Sequence, residues 1–414
     1  MSVVCKFNLK TGIAMAKISL KAQQMPASAI RKLVPLSDAA KKQGTKVYHL
    51  NMGQPDIKSP ECALKAVREN TLTHISYSNS AGLEELRTGL IEKYYKKIGI
   101  DISLPEIIVT IAGSESVNLA LQIACDAGDE VIVLEPFYTN YNTFAFMNGL
   151  TLKAIQTDIR TGFQVPPIEE FEKAITPKTK AILICNPGNP TGTLYSKESM
   201  LAIGEVARKH DLFLISDEVY REFCYTDEPH FSAMHIPGLE QNVILVDSVS
   251  KRYNLCGARV GCIVSHNKEV MAAALKYAQA RLCPPVLGQI AAIGALDTPD
   301  SYIQAVREEY IKRRNYMIES LNRIEGVYSP MPMGAFYTVA ELPVDSTENF
   351  ARWMLESFRL DNSTTMVTPA ASFYKTPGKG INHARLAYVL EIPELEKALH
   401  VLEEGLKAYP GRTI

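Results

Sequence analysis

Five short apolar, β-branched runs recur along the first two-thirds of this chain, and helical segments separate them. The runs are Ile107 to Thr110, Val131 to Leu134, Ala181 to Ile184, Leu212 to Ile215 and Val243 to Val246. Each is short enough, and apolar enough on both faces, for a buried strand. The intervening stretches Ser116 to Ala127, Ile168 to Ala174 and Lys197 to His210 have helical length and period. Strands that alternate with helices must pair in parallel through crossovers. The fold class is therefore α/β, a mostly parallel sheet with helices on both faces. In such sheets ligands bind beyond the carboxyl ends of the strands. Ser114, Tyr138, Asn189, Asp217, Ser248 and Lys251 all follow strands at that edge.

At 414 residues the chain is too long for one simple core. We expect a large domain over 52–295 and a smaller α+β domain from 1–51 and 296–414. Residues 1–24 read as a loose leader, with Met15 as an alternative start. A helix is expected over Ser28 to Gln43, closed by Gly44, and then a strand, Val47 to Leu50. The turn-rich loop Asn51 to Asp56 follows; in it Gly53 lets a ligand approach backbone closely, or simply makes a turn. A helix is expected over Leu83 to Ile98. Beyond Pro284-Pro285 we expect helices at Ser301 to Ile324, Glu348 to Phe358 and Glu394 to Ala408. Short strands at Ala335 to Val339, Thr365 to Thr368 and Arg385 to Val389 lie among them.

Lys plus Arg is 44 and Asp plus Glu is 45, a net charge of −1, which gives no argument for a nucleic-acid or acidic-membrane partner. The eight cysteines are scattered without a CxxC pair, as expected of buried thiols in a reducing compartment, and no metal site is expected. No apolar run approaches a membrane span, and the expected location is cytoplasmic.

The chemistry gathers around Ser248-Val249-Ser250-Lys251 and Arg259. Two hydroxyls and a guanidinium suit a phosphate. An amine partly removed from water beside another cation is nucleophilic. An aldehyde that carries a phosphate uses all of these groups, and pyridoxal phosphate is such a molecule. The turn Ala112-Gly113-Ser114-Glu115 opens a helix and points free N–H groups at an anion. Asp217 reads as a counter-ion for a buried cation, or as a helix N-cap. Tyr138 offers a ring for stacking, and Tyr77 is a phosphate donor or a packed aromatic. Arg385 is a carboxylate clamp or a surface arginine.

These pieces resemble the class I/II aminotransferases of pyridoxal-phosphate fold type I, over roughly residues 28–408. The matching motifs are NPGNPTG at 186–192, SDEVY at 216–220 and SVSKRYNLCGARVG at 248–261. The resemblance implies that Lys251 joins the cofactor as a Schiff base, that Asp217 pairs with its ring nitrogen, and that Tyr220 and Asn189 hydrogen-bond its phenolic oxygen. It implies that Tyr138 stacks on the ring. Gly113, Ser114, Glu115, Ser248, Ser250 and Arg259 would cradle the phosphate, with Tyr77 reaching in from a second subunit of a homodimer. Arg385 would hold the substrate α-carboxylate, helped by Asn189 and the backbone at Gly53.

The implied function is transfer of an amino group between an L-amino acid, aspartate favoured, and 2-oxoglutarate by a ping-pong mechanism. Some members of the aspartate subgroup carry a distal-carboxylate lysine just after the phosphate-turn glycines. Here Ala112-Gly113-Ser114 has no lysine, and Arg281 is the expected substitute. Rival readings are an aminotransferase for aromatic or neutral amino acids, a carbon–sulfur β-lyase and a non-enzymatic ligand-sensing domain. The short segment before Ser28 and the balanced charge argue against a DNA-binding regulator.

Overall fold

The computed structural model describes residues 16–414 except Ala29. Met15 and most of the leader expected over 1–24 lie outside the described residues. Twelve strands are present among the described residues: β1 (Lys46–His49), β2 (Ile107–Thr110), β3 (Glu130–Glu135), β4 (Thr151–Gln156), β5 (Thr179–Cys185), β6 (Phe213–Asp217), β7 (Val243–Ser248), β8 (Gly261–Val264), β9 (Tyr337–Glu341), β10 (Ser363–Met366), β11 (Thr368–Pro369) and β12 (His383–Ala387). The helices used below are α1 (Leu20–Gln24), α2 (Val34–Lys42), α3 (Glu61–Arg68), α4 (Glu84–Leu90), α5 (Ala112–Ala124), α6 (Asn140–Asn148), α7 (Ile168–Ala174), α8 (Lys197–Lys209), α9 (Val249–Arg252), α10 (Lys268–Arg281), α11 (Val286–Ala295), α12 (Asp300–Arg323), α13 (Thr347–Glu356) and α14 (Ile392–Ala408).

Seven strands form the main sheet in the order β2-β8-β7-β6-β5-β3-β4. Only β8 runs against its neighbours; the other pairs are parallel. The carboxyl ends of β2, β3, β5, β6 and β7 therefore share one edge. Their residues are buried nearly throughout because helices cover both faces. A separate core gathers residues from the first fifty, from Tyr220 to Tyr225, and from Val306 onward. It includes the antiparallel sheet β11-β12-β9 and the parallel pair β1-β10. Tyr220, Phe223 and Tyr225 follow β6, so the main sheet sends its own loop into this second core.

Several elements differ from expectation for local reasons. The helix expected from Ser28 begins only at Val34, with Pro35 in its first turn, where the missing N–H costs nothing. The helix expected from Ser116 begins at Ala112, whose φ is 61°. Helical structure from Glu84 passes through a π-helical turn at Ile91–Tyr95 and ends at Gly99, φ 73°. The short helix α1, capped by Ser19, falls within the expected leader.

Candidate active site

The first turn of α5 begins two residues after β2 ends. The Glu115 carboxylate accepts the Ile111 N–H, and the remaining N–H groups of this first turn have no helical partner. A Cβ on Gly113 would stand 3.8 Å from the Ser248 Cβ, so the α5 turn lies against the end of β7. A Cβ on Gly261 would meet Gly113 N at 2.8 Å and Asp247 O at 2.8 Å. Only glycine there lets β8 come so close. The Ser248 hydroxyl caps α9, accepting the Ser250 N–H at 3.1 Å, and lies 2.7 Å from the Ser250 hydroxyl. Arg259 has left-handed backbone, φ 55°, and is exposed. Its guanidinium donates to the Cys256 carbonyl at 3.0 Å. Hydroxyls, free N–H groups and a guanidinium are the donor set an anion requires.

Lys251 occupies α9 and donates to the Gly53 carbonyl at 2.8 Å. From there a chain of polar groups crosses the site. The Tyr337 hydroxyl lies 3.4 Å from the same carbonyl and 3.1 Å from the Tyr220 hydroxyl. Asn189 Nδ2 donates to Tyr220 at 3.4 Å, and Asn189 Oδ1 accepts from Arg385 at 3.4 Å. The Arg385 guanidinium donates to the Asn51 carbonyl at 2.5 Å. It lies 4.8 Å from the Tyr337 ring centroid and 5.4 Å from that of Phe373. Arg385 is only 2% exposed, and among the described residues its Nε has no partner and no carboxylate pairs with it. Burial lowers its pKa, opposed by Tyr337, Tyr220 and Tyr138. A buried, unpaired guanidinium is costly. A ligand carboxylate is the group that would offset the cost.

Asp217 ends β6 and is 6% exposed. Burial raises its pKa to about 6; the Tyr141 hydroxyl and the Val219 N–H oppose this, while Asp247 and Glu218 add to it. A cation placed beside Asp217 would restore its charge. Tyr138 stands edge-on to Tyr141, with ring centroids 5.6 Å apart.

Beneath the site a buried ion network fixes the ends of β6 and β7. Arg252 pairs with Asp247 at 2.5 Å and with Glu222 at 3.4 Å, and its guanidinium covers the Tyr94 ring at 3.4 Å. Arg221 pairs with Glu218 at 2.5 Å. Burial pushes the Asp247 carboxyl up, but Arg252 and Arg221 hold it below its ordinary value. Arg252 follows Lys251 directly, so this pair anchors the helix that carries the amine.

The structure thus brings together Gly53, Gly113, Ser114, Asn189, Asp217, Tyr220, Ser248, Ser250, Lys251 and Arg385. Arg281 and Glu115 pair with each other, and Tyr77 faces outward from this chain. Arg281 donates to Glu115 at 3.1 Å and to the Val109 carbonyl at 3.1 Å. It ties the end of α10 to the start of α5, and its partner Glu115 is held on the same side. Within this chain the two side chains pair with each other, while Arg281 Nη1 is buried without a hydrogen-bond partner among the described residues. Tyr77 is 79% exposed, on a segment whose Leu72 and Ile75 are also exposed, outside this chain's own cluster. Tyr141, Tyr337, Phe373 and Thr368 were not expected at the site. Tyr141 lies three residues after Tyr138, a helical spacing that was there to be read; nothing local marked the other three.

The description "Aminotransferase class I and II" matches residues 45–402. The aspartate/prephenate aminotransferase of Thermus thermophilus is 31% identical over 390 residues, covering 93% of this chain and 97% of that protein. The aspartate aminotransferase of Thermotoga maritima is 30% identical, covering 94% of this chain and 100% of that protein. Among solved structures, Thermus thermophilus aspartate aminotransferase with maleate superposes with a TM-score of 0.85 at 30% identity, covering 95% of this chain and 100% of that one. An alanine aminotransferase from Pyrococcus furiosus gives the same score, identity and coverage. Fold, site and sequence agree: the chain belongs to the class I and II aminotransferases, a family of pyridoxal-phosphate-dependent enzymes.

Proposed function

We propose that this aminotransferase uses pyridoxal 5'-phosphate to move the amino group of an L-amino acid, aspartate favoured, to 2-oxoglutarate. The observation that carries the reading is the polar chain from Lys251 through Gly53, Tyr337, Tyr220 and Asn189 to Arg385. It links an amine to a buried guanidinium that has no ion pair among the described residues. The residues fit the cofactor: Gly113, Ser114, Ser248, Ser250 and Arg259 for its phosphate, Asp217 for its ring nitrogen, Tyr220 and Asn189 for its phenolic oxygen, and Tyr138 for its ring face. When bound, the cofactor supplies an electron sink for the pair left when an amino acid loses its α-proton.

The chain's own residues do the rest. Arg385 orients the α-carboxylate bidentately, aided by Asn189 and the backbone at Gly53. Asp217 would be ionised by a cationic ring nitrogen beside it and would hold the proton there. Lys251 Nζ would take the α-proton as general base and return it as general acid. Donor and acceptor use the same site in turn, which gives ping-pong kinetics.

The exposed apolar segment Leu72, Ile75 and Tyr77 supports a homodimer in which Tyr77 serves the second subunit's phosphate. The separate cores support a large domain over 52–295 and a small one from the remainder. Among the described residues no helix is long and apolar enough to cross a membrane; we place the protein in the cytoplasm. The engagement of Arg281 by Glu115 favours a second reading, a neutral or aromatic donor. A panel of amino acids with 2-oxoglutarate, read as glutamate formed, separates the two. Pyruvate released from cystathionine without an added keto acid would instead indicate a β-lyase.

A further inference from the structure

Tyr337 opens β9 and is 2% exposed, yet its hydroxyl lies among the polar groups of the site. Among the described residues that hydroxyl has two contacts, the Tyr220 hydroxyl at 3.1 Å and the Gly53 carbonyl at 3.4 Å. The Gly53 carbonyl already accepts Lys251 Nζ at 2.8 Å. Gly53 admits the phenol, since a Cβ there would fall on the Tyr337 hydroxyl. The ring is held on its other sides. It stands edge-on to Tyr220 with centroids 5.6 Å apart, 4.9 Å from the Phe336 ring and 4.8 Å from the Arg385 guanidinium. This packing fixes the oxygen of Tyr337 and leaves only its proton free to turn.

Two phenols 3.1 Å apart share one hydrogen bond, and only one of them can donate it. Asn189 Nδ2 donates to the Tyr220 oxygen at 3.4 Å. With Tyr220 as donor to Tyr337, its single proton is taken up inside the fold. With Tyr337 as donor, the Tyr220 oxygen accepts twice, from Asn189 and from Tyr337, and its proton is left for an acceptor in the site. Burial, with Tyr337 adding to it, pushes the Tyr220 pKa well above its ordinary value, so that proton is present to be donated.

We propose that Tyr337 is a positioning residue: its hydroxyl donates to Tyr220 and so leaves the Tyr220 proton for the cofactor's phenolic oxygen. The proposal rests on the aminotransferase reading above and adds to it a residue that acts through Tyr220. A hydrogen bond accepted by Tyr220 polarises the one it gives. A weaker donor leaves more negative charge on the phenolic oxygen, and the neighbouring Schiff-base proton is then held more tightly.

The test is an absorbance titration of the holoenzyme, which reads the pH at which the chromophore loses that proton. Tyr337→Phe keeps the ring packing and removes only the hydroxyl. It should raise this pH by roughly half a unit, about a threefold change in the equilibrium. In a Tyr220→Phe background the same substitution should leave the titration where Tyr220→Phe alone puts it, because the two hydroxyls act in series. An unmoved titration in Tyr337→Phe overturns the proposal, even if its urea midpoint falls, since that is the signature of a purely structural tyrosine. A shift of full size in the Tyr220→Phe background overturns it as well. A wild type that forms no chromophore with pyridoxal phosphate overturns the functional reading itself, and the proposal with it.

Discussion

Tyr141 donates a hydrogen bond of 2.8 Å to Asp217, and both groups are buried. The tyrosine lies at the start of α6, three residues after Tyr138, so the segment that presents the Tyr138 ring leads directly into the helix that steadies the carboxylate. Removing that donor with Tyr141→Phe should push the Asp217 pKa above its present value of about 6. The Asp217-linked fall in stability of cofactor-free protein should then move to higher pH. In the holoenzyme kcat should drop several-fold, because a carboxylate less willing to ionise protonates the ring less fully.

Asp217 sets a pH dependence of stability whose sign is fixed. Its folded pKa of about 6 stands above the ordinary 3.8, so the folded cofactor-free protein holds a proton that the unfolded chain has lost. That contribution is complete below about pH 4 and is lost as pH rises through about 6, at a cost of up to roughly 3 kcal/mol. Asp217→Asn should abolish this slope. Urea midpoints across the interval measure it, and equal slopes in both proteins would refute the assignment.

Lys251→Ala should retain cofactor through the phosphate contacts but lose turnover. Borohydride should fix the cofactor to wild type at Lys251 and leave the variant unlabelled, as mass spectrometry would read. Label on any other lysine would misplace the reactive amine.

Gly53→Ala has a geometric prediction. A Cβ there falls within the end of the Tyr337 ring, so the loop or the tyrosine must move, at roughly 1–3 kcal/mol. The shift would also displace the carbonyl that holds Lys251. Activity should fall at least tenfold, by an overpacking of that order. In a Tyr337→Ala background the same change should be nearly silent, and a double-mutant cycle gives the coupling.

Arg385→Ala should depress kcat/KM for every amino acid by roughly 2–5 kcal/mol, because every substrate presents the same α-carboxylate. A loss confined to one donor would contradict the common role.

Arg281→Ala should behave differently. It leaves Glu115 without its cation and the Val109 carbonyl without a donor, and should lower stability by about 1–3 kcal/mol. Losses in kcat/KM for aspartate and phenylalanine should be equal. A selective loss for aspartate would restore the distal-carboxylate role expected from sequence.

The strand-helix alternation determined the parallel sheet without help from tertiary contacts. Runs such as Ile107 to Thr110 and Val243 to Val246 are apolar on both faces, and only burial between helices satisfies them. Position at strand ends likewise marked Asn189, Asp217 and Lys251. What local pattern could not report were β4, where Lys153 and Gln156 interrupt the apolar residues, β8, where Gly261 and Cys262 leave only two β-branched residues, and α6, whose apolar and polar residues follow no helical face. The partners of the charged groups were also illegible. Arg281 and Glu115 are 166 residues apart and Arg385 and Asn189 are 196 apart. Sequence supplies the charge, but whether it meets a fold partner or faces a ligand depends on how distant elements dock. Thus the sequence by itself determined the sheet through periodicity, and strand-end placement marked Asn189, Asp217 and Lys251 as candidates. Only the tertiary structure decided that Arg281 is neutralised within the fold while Arg385 is buried without an anion, because an ion pair between distant residues forms only when packing brings them within reach.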